Sequence, residues 1–496
     1  MKSKCRCDNT AEIRLAGEKV IAQLNDLITI LYPSGNNFNI TNNNNGSITI
    51  VRSIDGKSFT LNFIDEDLDE IINGCRSWLN KLQIKFITQF LDPNQVVPTS
   101  SEVKKWVVKF KPGFNAGNYV FPKDITILDK YSCVFSGMCC KSTEKTLVDF
   151  NKLTNSIESY YLDQEVHIQV LKDKKILTKN EVVAMAQSVG PFINRISANH
   201  SSQKSGDGTG SLSSATSINV FVLDTGIAPH PDLNIVGGRN FTSTNTNAWQ
   251  DGHGHGTHVA GIIGAMDNGI GIVGVAPGVR LWAVKVLSNN GSGSTSGIIS
   301  ALNWILSSRG TLWHGYGIIN MSLGGPAFAP LDSAIQTVAN NGLVPCVAAG
   351  NESTNAINVS PARVPAAITV GATGPNPTYT TIAPYSNYGS ILDILAPGTN
   401  IYSTFLNGSY AVMSGTSMAT PVVSGTVALI ASTRSLGTPT TLTYTQNVRY
   451  NLVTLSSAPL TNTNYDGTVT TNPRIILSSV AAAAGTTDIS VRAGMF

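Results

Sequence analysis

Between residues 249 and 258 the chain reads WQDGHGHGTH, which places three imidazoles, His253, His255 and His258, within six positions. Clustered histidines suggest a metal site or a base that moves protons. A protease-type zinc site sets two histidines around a glutamate in HExxH order on one helix face, and this stretch has no such glutamate. Two other segments offer a histidine different company: VLDTG ends an apolar run at Asp224, and SGTSMATP opens a small-residue run at Ser417. A carboxylate that fixes an imidazole's tautomer, an imidazole that accepts a proton and a hydroxyl that attacks are the parts of an activated nucleophile. Singly, an aspartate at a strand end is a turn residue and a serine before a helix is an N-cap. Together, in the order Asp224, His255, Ser417, they point to nucleophilic catalysis with His255 as base. His258 then reads as structural and His253 as a loop residue near the entrance.

These side chains need elements to carry them. Beyond residue 216, the runs INVFVLDTG, LWAVKVL, GIINMSL, LVPCVAAGN and AITVGAT read as buried strands, separated by Gly- and Ala-rich helical text. Continuously apolar strands alternating with helices imply an α/β body with a parallel sheet covered on both faces. Catalytic groups in such folds gather beyond the carboxyl ends of the strands.

The first part of the chain is a different body. Residues 1–185 hold 23 of the 34 Lys+Arg, 21 of the 31 Asp+Glu and six of the seven cysteines. The remaining thiol, Cys346, lies in an apolar run and reads as core. CRC and CC lack zinc-site spacing. A net charge of +3 over 496 residues points to neither nucleic acid nor an acidic membrane surface. No apolar run reaches bilayer-spanning length, and the first residues lack a signal-type run, so export by the ordinary signal route is not expected.

Residues 11–31 are compatible with a helix, NNFNITNNNNGS reads as an Asn-rich loop, SITIVRSIDGKSFTLNFI as a hairpin turning at Asp55-Gly56, and 65–91 as an amphipathic helix. No function is assigned to residues 1–100. From 104 onward, KKWVVKFKPGF reads as a strand, YSCVFSG (131–137) as another, STEKTLVDFNKLTNSI as a helix and ESYYLDQEVHIQV as one further strand, a small α+β unit.

The motifs DTG, HGTHVAG and GTSMATP, with INMSLGGP, AAGNE and GVAPGVRLWAVKVL, resemble those of the subtilisin-like serine proteases, the subtilases, over roughly 186–482. The resemblance implies a three-layer subtilisin-like fold and serine endopeptidase activity on protein or peptide substrates, with Asp224, His255 and Ser417 as triad. Asn351 matches the side-chain oxyanion donor, beside the backbone N–H of Ser417 and a weaker contribution from Thr416. Gly291, Ser292 and Gly293, with Ser322, Leu323, Gly324 and Gly325, match the two edges that clamp an extended peptide. Ala348, Ala349 and Gly350 match one wall of the pocket before the scissile bond, which favours a large apolar side chain there. Structural calcium is expected on Gln187, Asp232 and Asn268 and the carbonyls of Met266, Ile270 and Ile272. Where the family often has Pro-His-Val-Ala-Gly, this chain has Pro421-Val422-Val423-Ser424-Gly425, a change expected to alter packing and spare the triad. Val259 stands where the proteinase K branch has a thiol, which places the chain nearer the subtilisin branch.

Residues 104–170 resemble the subtilase prosegment, an intramolecular chaperone and inhibitor, followed by an exposed connector (171–185), the peptidase domain (186–482) and a tail (483–496). Cleavage is expected near Met185–Ala186, on the reasoning that Gln187 reaches the calcium loop only after the chain is cut. A monomer is expected, and the resemblance favours a location outside the cytosol. The alternatives are a catalytically silent subtilase fold that serves as a binding module, and a function carried by residues 1–100.

Overall fold

In the computed structural model the described residues are 38–43, 47–52, 58–62, 102–114, 119–168, 172–177, 187–196, 217–374, 381–433, 442–450, 457–463 and 469–475, with a few isolated positions between them. Residues 1–99 and 100–496 are two compact units.

The first unit contains an antiparallel sheet of β1 (Phe38–Asn42), β2 (Ser47–Arg52) and β3 (Ser58–Asn62). The β2–β3 hairpin matches the sequence reading, whereas β1 corrects it. The supposed Asn-rich loop pairs Phe38 with Arg52 and Ile40 with Ile50, because its apolar residues alternate and so occupy one face of a strand. Upstream, Ala16, Val20 and Leu24 are buried helical residues, their spacing of four setting them on one face. The helix expected over 65–91 and the tail 483–496 lie outside the described residues.

The second unit opens with β4 (Lys104–Phe110), β5 (Thr126–Tyr131), β6 (Gly137–Ser142), helix α1 (Glu144–Thr154) and β7 (Ile157–Leu162), the strands ordered β5-β6-β4-β7 and all antiparallel. The expected strand at 131–137 is instead the turn joining β5 to β6. Trp106, Val108, Phe110, Met138 and Cys140 pack under α1. Val107, Tyr131, Val134 and Cys139 face the opposite way, into a core shared with the rest of the second unit. The next stretch is not a continuation of β7: it forms a separate strand, β8 (Glu165–Ile168), and the supposed exposed connector contains β9 (Lys172–Ile176).

After the short helix α2 (Pro191–Ile196) the main sheet begins with β10 (Ile218–Asp224), β11 (Ile235–Asn240), helix α3 (His255–Gly264) and β12 (Arg280–Lys285). There follow β13 (Ser292–Ser294), α4 (Thr295–Ser307), β14 (Tyr316–Met321), β15 (Leu323–Pro326), α5 (Ala329–Asn340), β16 (Val344–Ala348), β17 (Val359–Ser360) and β18 (Ile368–Thr373). The rest comprises β19 (Ile394–Pro397), β20 (Ile401–Thr404), β21 (Tyr410–Ser414), α6 (Thr416–Thr433), α7 (Leu442–Tyr450), β22 (Ser457–Thr463) and β23 (Val469–Ile475).

The main sheet runs β11-β12-β10-β14-β16-β18-β19-β23-β22, parallel throughout except for the edge pair β22–β23. Strand β10 shows why it has three layers. Val220 and Val222 point into one core with Val259 and Ile263 of α3 and Val423 and Val427 of α6. Phe221 and Leu223 point into the other with Ile298 and Leu302 of α4 and Ile335 of α5. A strand buried on both faces needs apolar residues at every position, each worth about 1.5–3 kcal/mol of burial. Cys346 is one of these core residues, its thiol pushed up to about 12 by burial. Among the described residues no helix is long and apolar enough to cross a membrane.

Candidate active site

Asp224 is the last residue of β10 and is fully buried. Its backbone carbonyl accepts from the N–H groups of Val286 and Leu287 at 3.0 and 3.1 Å. Its Oδ1 accepts the Thr225 N–H at 2.7 Å and lies 2.8 Å from His255 Nδ1. A buried carboxylate so placed holds the imidazole with Nδ1 protonated and Nε2 free to accept. His255 Nε2 is buried and has no hydrogen-bond partner among the described residues.

His255 opens α3, and two glycines let it do so. Gly254, the helix cap, has φ 98°, and a Cβ there would fall 2.0 Å from the Phe405 ring. A Cβ on Gly256 would stand 2.1 Å from the Gly226 carbonyl. Small residues around His255 are therefore a packing requirement. Asp251, which the sequence reading passed over, fixes this end of the helix. Its Oδ1 accepts from the N–H groups of His253 and Gly254 at 2.8 and 2.9 Å, and its Oδ2 accepts the N–H and hydroxyl of Thr257 at 3.0 and 2.7 Å. Asp four residues before the base, in DGHGH, is a legible helix-start signal. Buried Lys285, on the strand beside β10, donates to the Thr225 carbonyl and to Asn289 Oδ1, and burial lowers its pKa.

The other two histidines point elsewhere. His258 is buried with Nε2 at 3.2 Å from the Ile401 carbonyl and 3.0 Å from that of Ala411. Burial pushes it down to about 3, so it is a neutral tie between α3 and the β20–β21 hairpin. His253 sits half-buried beside His255, ring centroids 6.4 Å apart, its pKa lowered by burial and then by that neighbour.

Ser417 is the second residue of α6, three positions beyond the end of β21. Its Oγ donates to the Ser322 carbonyl at 3.1 Å, and no hydrogen bond joins it to His255. The structure thus brings together the aspartate and histidine, with the serine hydroxyl turned toward the segment that starts β15. Asn351 Oδ1 accepts the N–H and hydroxyl of Thr416, both at 2.9 Å. Thr416 accordingly positions Asn351. The Thr416 hydroxyl in turn accepts the Gly350 N–H at 3.2 Å. The changed segment after Ser417 is buried helix, and Ser424 donates to Asn320 Oδ1 at 2.9 Å.

The two predicted clamp segments form the walls of a cleft, and a strand of this same chain lies between them. The order β13-β8-β15-β17 sets His167 opposite Ser292, Val166 opposite Gly293, Ile168 opposite Leu323 and His167 opposite Gly324. The Ile168 N–H donates to the Gly291 carbonyl at 2.9 Å, and Gly325 pairs with Ser360 of β17. A cavity of about 380 Å³ beside them is lined by His167, Ile168, Gly324, Gly325, Glu352, Thr354 and Asn358 among others. Ala348, Ala349 and Gly350 are buried behind the site and are not among the lining residues. Glu352 gives the cavity a carboxylate that already accepts from Asn387 at 2.8 Å.

Residues 104–168 hold β8 in place. Asp163 Oδ1 accepts the Thr295 hydroxyl and the Ser296 N–H at 2.7 and 2.8 Å, capping α4. Asp163 Oδ2 pairs with Lys105 at 2.9 Å, while Asn303 Oδ1 accepts the Cys133 N–H at 2.8 Å.

The predicted cation ligands also converge. Gln187 Nε2 donates to the Met266 carbonyl at 2.9 Å and the Ile272 carbonyl at 3.4 Å, and its Oε1 accepts the Gly269 N–H at 3.1 Å. Asn268 Oδ1 accepts the Ile270 N–H at 3.1 Å, holding the loop tip. Asp232 Oδ2 accepts from Ile272 N–H and Tyr410 Oη, both at 3.2 Å. Its buried Oδ1 has no partner among the described residues, and burial raises the carboxyl to about 6. Gln187 reaches this loop in the uncut chain. Strand β9 runs along β21 as far as Tyr410, whose hydroxyl donates to Asp232. Met185 and Ala186 themselves lie outside the described residues.

Comparison with known proteins places the chain in a family. Residues 215–470 match the model of the subtilase family. The chain is similar to an alkaline protease of Alkalihalobacillus alcalophilus, 44% identical over 251 residues, 50% of this chain and 61% of that protein. It therefore spans less than two thirds of that relative's length. It is also similar to subtilisin NAT of Bacillus subtilis subsp. natto, 38% identical over 349 residues, 68% of this chain and 83% of that protein. A solved structure of a cold adapted subtilisin-like serine proteinase matches with TM-score 0.46 and 36% identity, over 55% of this chain and 92% of that one. By the family match across half its length, the chain belongs to the subtilase family.

Proposed function

We propose that the protein is a serine endopeptidase made as a precursor, with Ser417 as nucleophile, His255 as general base and Asp224 as the residue that orients it. The observation that carries this is the buried Asp224–His255 pair at 2.8 Å, set beside a cleft whose two edges hold an extended polypeptide, β8, by backbone pairing. Rotation of the Ser417 side chain away from the Ser322 carbonyl directs its hydroxyl to His255 Nε2. His255 takes the proton as Oγ attacks the carbonyl and returns it to the leaving amine. The Asn351 amide, its oxygen pinned by Thr416, and the Ser417 N–H donate to the oxygen that gains charge.

Residues 104–168 act as an inhibitor: their sheet packs on α4, Asp163 caps that helix, and β8 fills the non-leaving side of the cleft as a product would. The loop 266–272 holds one calcium ion on Gln187, Asp232, Asn268 and carbonyls of the loop. Among the described residues no group of three or more His, Cys, Asp or Glu converges, so a cation here rests on amide and carbonyl oxygens and one carboxylate, the hard donor set calcium takes. The unpartnered Asp232 Oδ1 supports this. When bound, the ion supplies charge for a buried carboxylate and ties Gln187 to the loop.

The decisive experiment is treatment of purified protein with a serine-phosphonylating reagent, followed by mapping of the adduct. Modification of Ser417 with loss of peptide hydrolysis is expected. An active enzyme modified elsewhere overturns the assignment.

A further inference from the structure

We infer that Lys285 is a positioning residue for the Asp224–His255 pair. Its buried ammonium fixes the turn after Asp224 and offsets the charge of that carboxylate, and so sets the pH range in which His255 accepts a proton. This rests on the proposed endopeptidase activity, in which His255 is the base.

Hydrogen bonds leave the Asp224 carboxylate half satisfied. Its Oδ1 takes both the Thr225 N–H at 2.7 Å and the His255 imidazole at 2.8 Å, while buried Oδ2 has no partner among the described residues. An ionised carboxylate in such surroundings needs a compensating charge. A second carboxylate, Asp251, is buried at the start of α3, which enlarges the excess of negative charge. Lys285 is buried as well, and its ammonium donates to two neutral oxygens, the Thr225 carbonyl and Asn289 Oδ1. Its charge is thus left to act on what surrounds it. Burial lowers its pKa, and the fields of Asp251 and Asp224 oppose that shift.

The sheet puts the ammonium there. Strands β10 and β12 are parallel neighbours, in register with Asp224 opposite Lys285. The N–H groups of Val286 and Leu287, which follow Lys285, donate to the Asp224 carbonyl at 3.0 and 3.1 Å and lock the two strand ends together. Beyond the end of β10 the ammonium meets the Thr225 carbonyl. Thr225 touches both members of the pair. Its N–H donates to Asp224 Oδ1, and its hydroxyl accepts the N–H of Gly256, the residue after His255, at 3.0 Å. Holding Thr225 therefore holds the carboxylate and the start of the His255 helix in one frame.

The charged and titratable groups around the pair come from several elements. They are Asp251 and His253 from the loop before α3, His258 from α3, Lys174 from β9 and Lys285 from β12. The carboxylates favour imidazolium and the ammonium groups disfavour it. Without Lys285 the balance tips toward imidazolium, and a base already protonated accepts nothing. Loss of the ammonium should therefore move the onset of activity to higher pH. A side chain that only filled space would change stability and leave that onset in place.

Hydrolysis of an internally quenched peptide by the full-length protein, followed across the pH range, tests this. In Lys285→Met, which keeps the chain length and loses the charge, the acid limb of kcat/KM should rise by about 0.5–1 pH unit. Lys285→Arg, which keeps the charge, should hold the limb within about 0.2 unit of wild type even where turnover falls. An unmoved limb in Lys285→Met, or an equal rise in Lys285→Arg, overturns the inference. Asn289 is exposed, so Asn289→Asp places a carboxylate beside the ammonium without disturbing the core. It should raise the limb by about half as much. If Lys285→Met does not fold, this variant decides, and an unmoved limb again overturns the inference. A further measurement needs no activity: ¹⁵N NMR titration of the histidines in Ser417→Ala, compared with Ser417→Ala/Asn289→Asp. The His255 imidazole should titrate at higher pH in the double variant, and coincident curves overturn the role of Lys285. If no form is phosphonylated at Ser417, the endopeptidase reading itself fails, and the NMR comparison still decides whether Lys285 governs the pair.

Discussion

The Ser417 carbonyl takes a hydrogen bond from the Ser322 hydroxyl at 2.9 Å, because Pro421, four residues along α6, has no amide hydrogen to offer it. The Ser322 hydroxyl is itself held by Asn320 Nδ2 at 3.1 Å, and Asn320 Oδ1 by the Ser424 hydroxyl at 2.9 Å. A buried chain of polar groups thus runs from Ser424 in the altered motif to the backbone of Ser417. Ser322→Ala should leave the carbonyl unpaired and cost about 1–3 kcal/mol of stability. Adding Pro421→Ala, which supplies the missing donor, should recover about 1 kcal/mol or more of that loss. Urea unfolding of the two single variants and the double variant measures the coupling, and strictly additive effects reject it.

Asn351 is gripped through its oxygen by Thr416, and in the proposed mechanism its nitrogen is the oxyanion donor. Asn351→Ala should lower kcat about 10²–10³-fold with KM nearly unchanged, a range known from a subtilisin itself rather than derived from this geometry. Thr416→Val, which loses the hydroxyl and keeps the backbone N–H, should fall between that variant and wild type. A loss confined to KM would contradict the oxyanion role.

His258 gives the fold an acid-sensitive joint. Burial holds it near 3, against about 6.5 when unfolded. Its folded pKa is depressed, so the unfolded chain binds the extra proton first. The stability it contributes is fully present above pH 6.5 and is lost as pH falls toward 3, by about 4 kcal/mol. Urea unfolding of Ser417→Ala between pH 8 and 3.5 should show this slope, and adding His258→Gln should flatten it.

Asp232 behaves in the opposite sense. Burial raises its carboxyl to about 6, so without a cation the charged form is costly and the fold loses stability as pH rises through 6. A bound calcium ion reverses that cost, so its stabilising effect should grow between pH 5 and 7. Chelation at pH 7 should shorten the half-life of thermal inactivation, and Asp232→Ala should abolish the effect of chelator. Equal chelator sensitivity in the two proteins would count against the loop as the site.

What the sequence determined is local. An apolar run ending in Asp224, glycines crowding His255, and a small-residue helix opening at Ser417 each follow from residues within a few positions of one another. Burial on both faces of a parallel strand leaves little choice of residue, and close helix–strand approach leaves room only for glycine, so these positions and the α/β architecture were legible. Asp251 was legible on the same grounds and was passed over. The resemblance implied that the end of the prosegment-like unit enters the active site as a product would, but neither the break between β7 and β8 nor the existence of β9 was legible. Glu165–Ile168 reads as more of β7, and Lys172–Ile176, rich in lysine, reads as an exposed connector. An edge strand with charged side chains keeps that composition whether or not its backbone is paired. Its partners, β13, β15 and β21, lie more than a hundred residues further along the chain. Backbone hydrogen bonds carry no side-chain signature of the strand they meet, so only the tertiary structure could decide which strands β8 and β9 pair with.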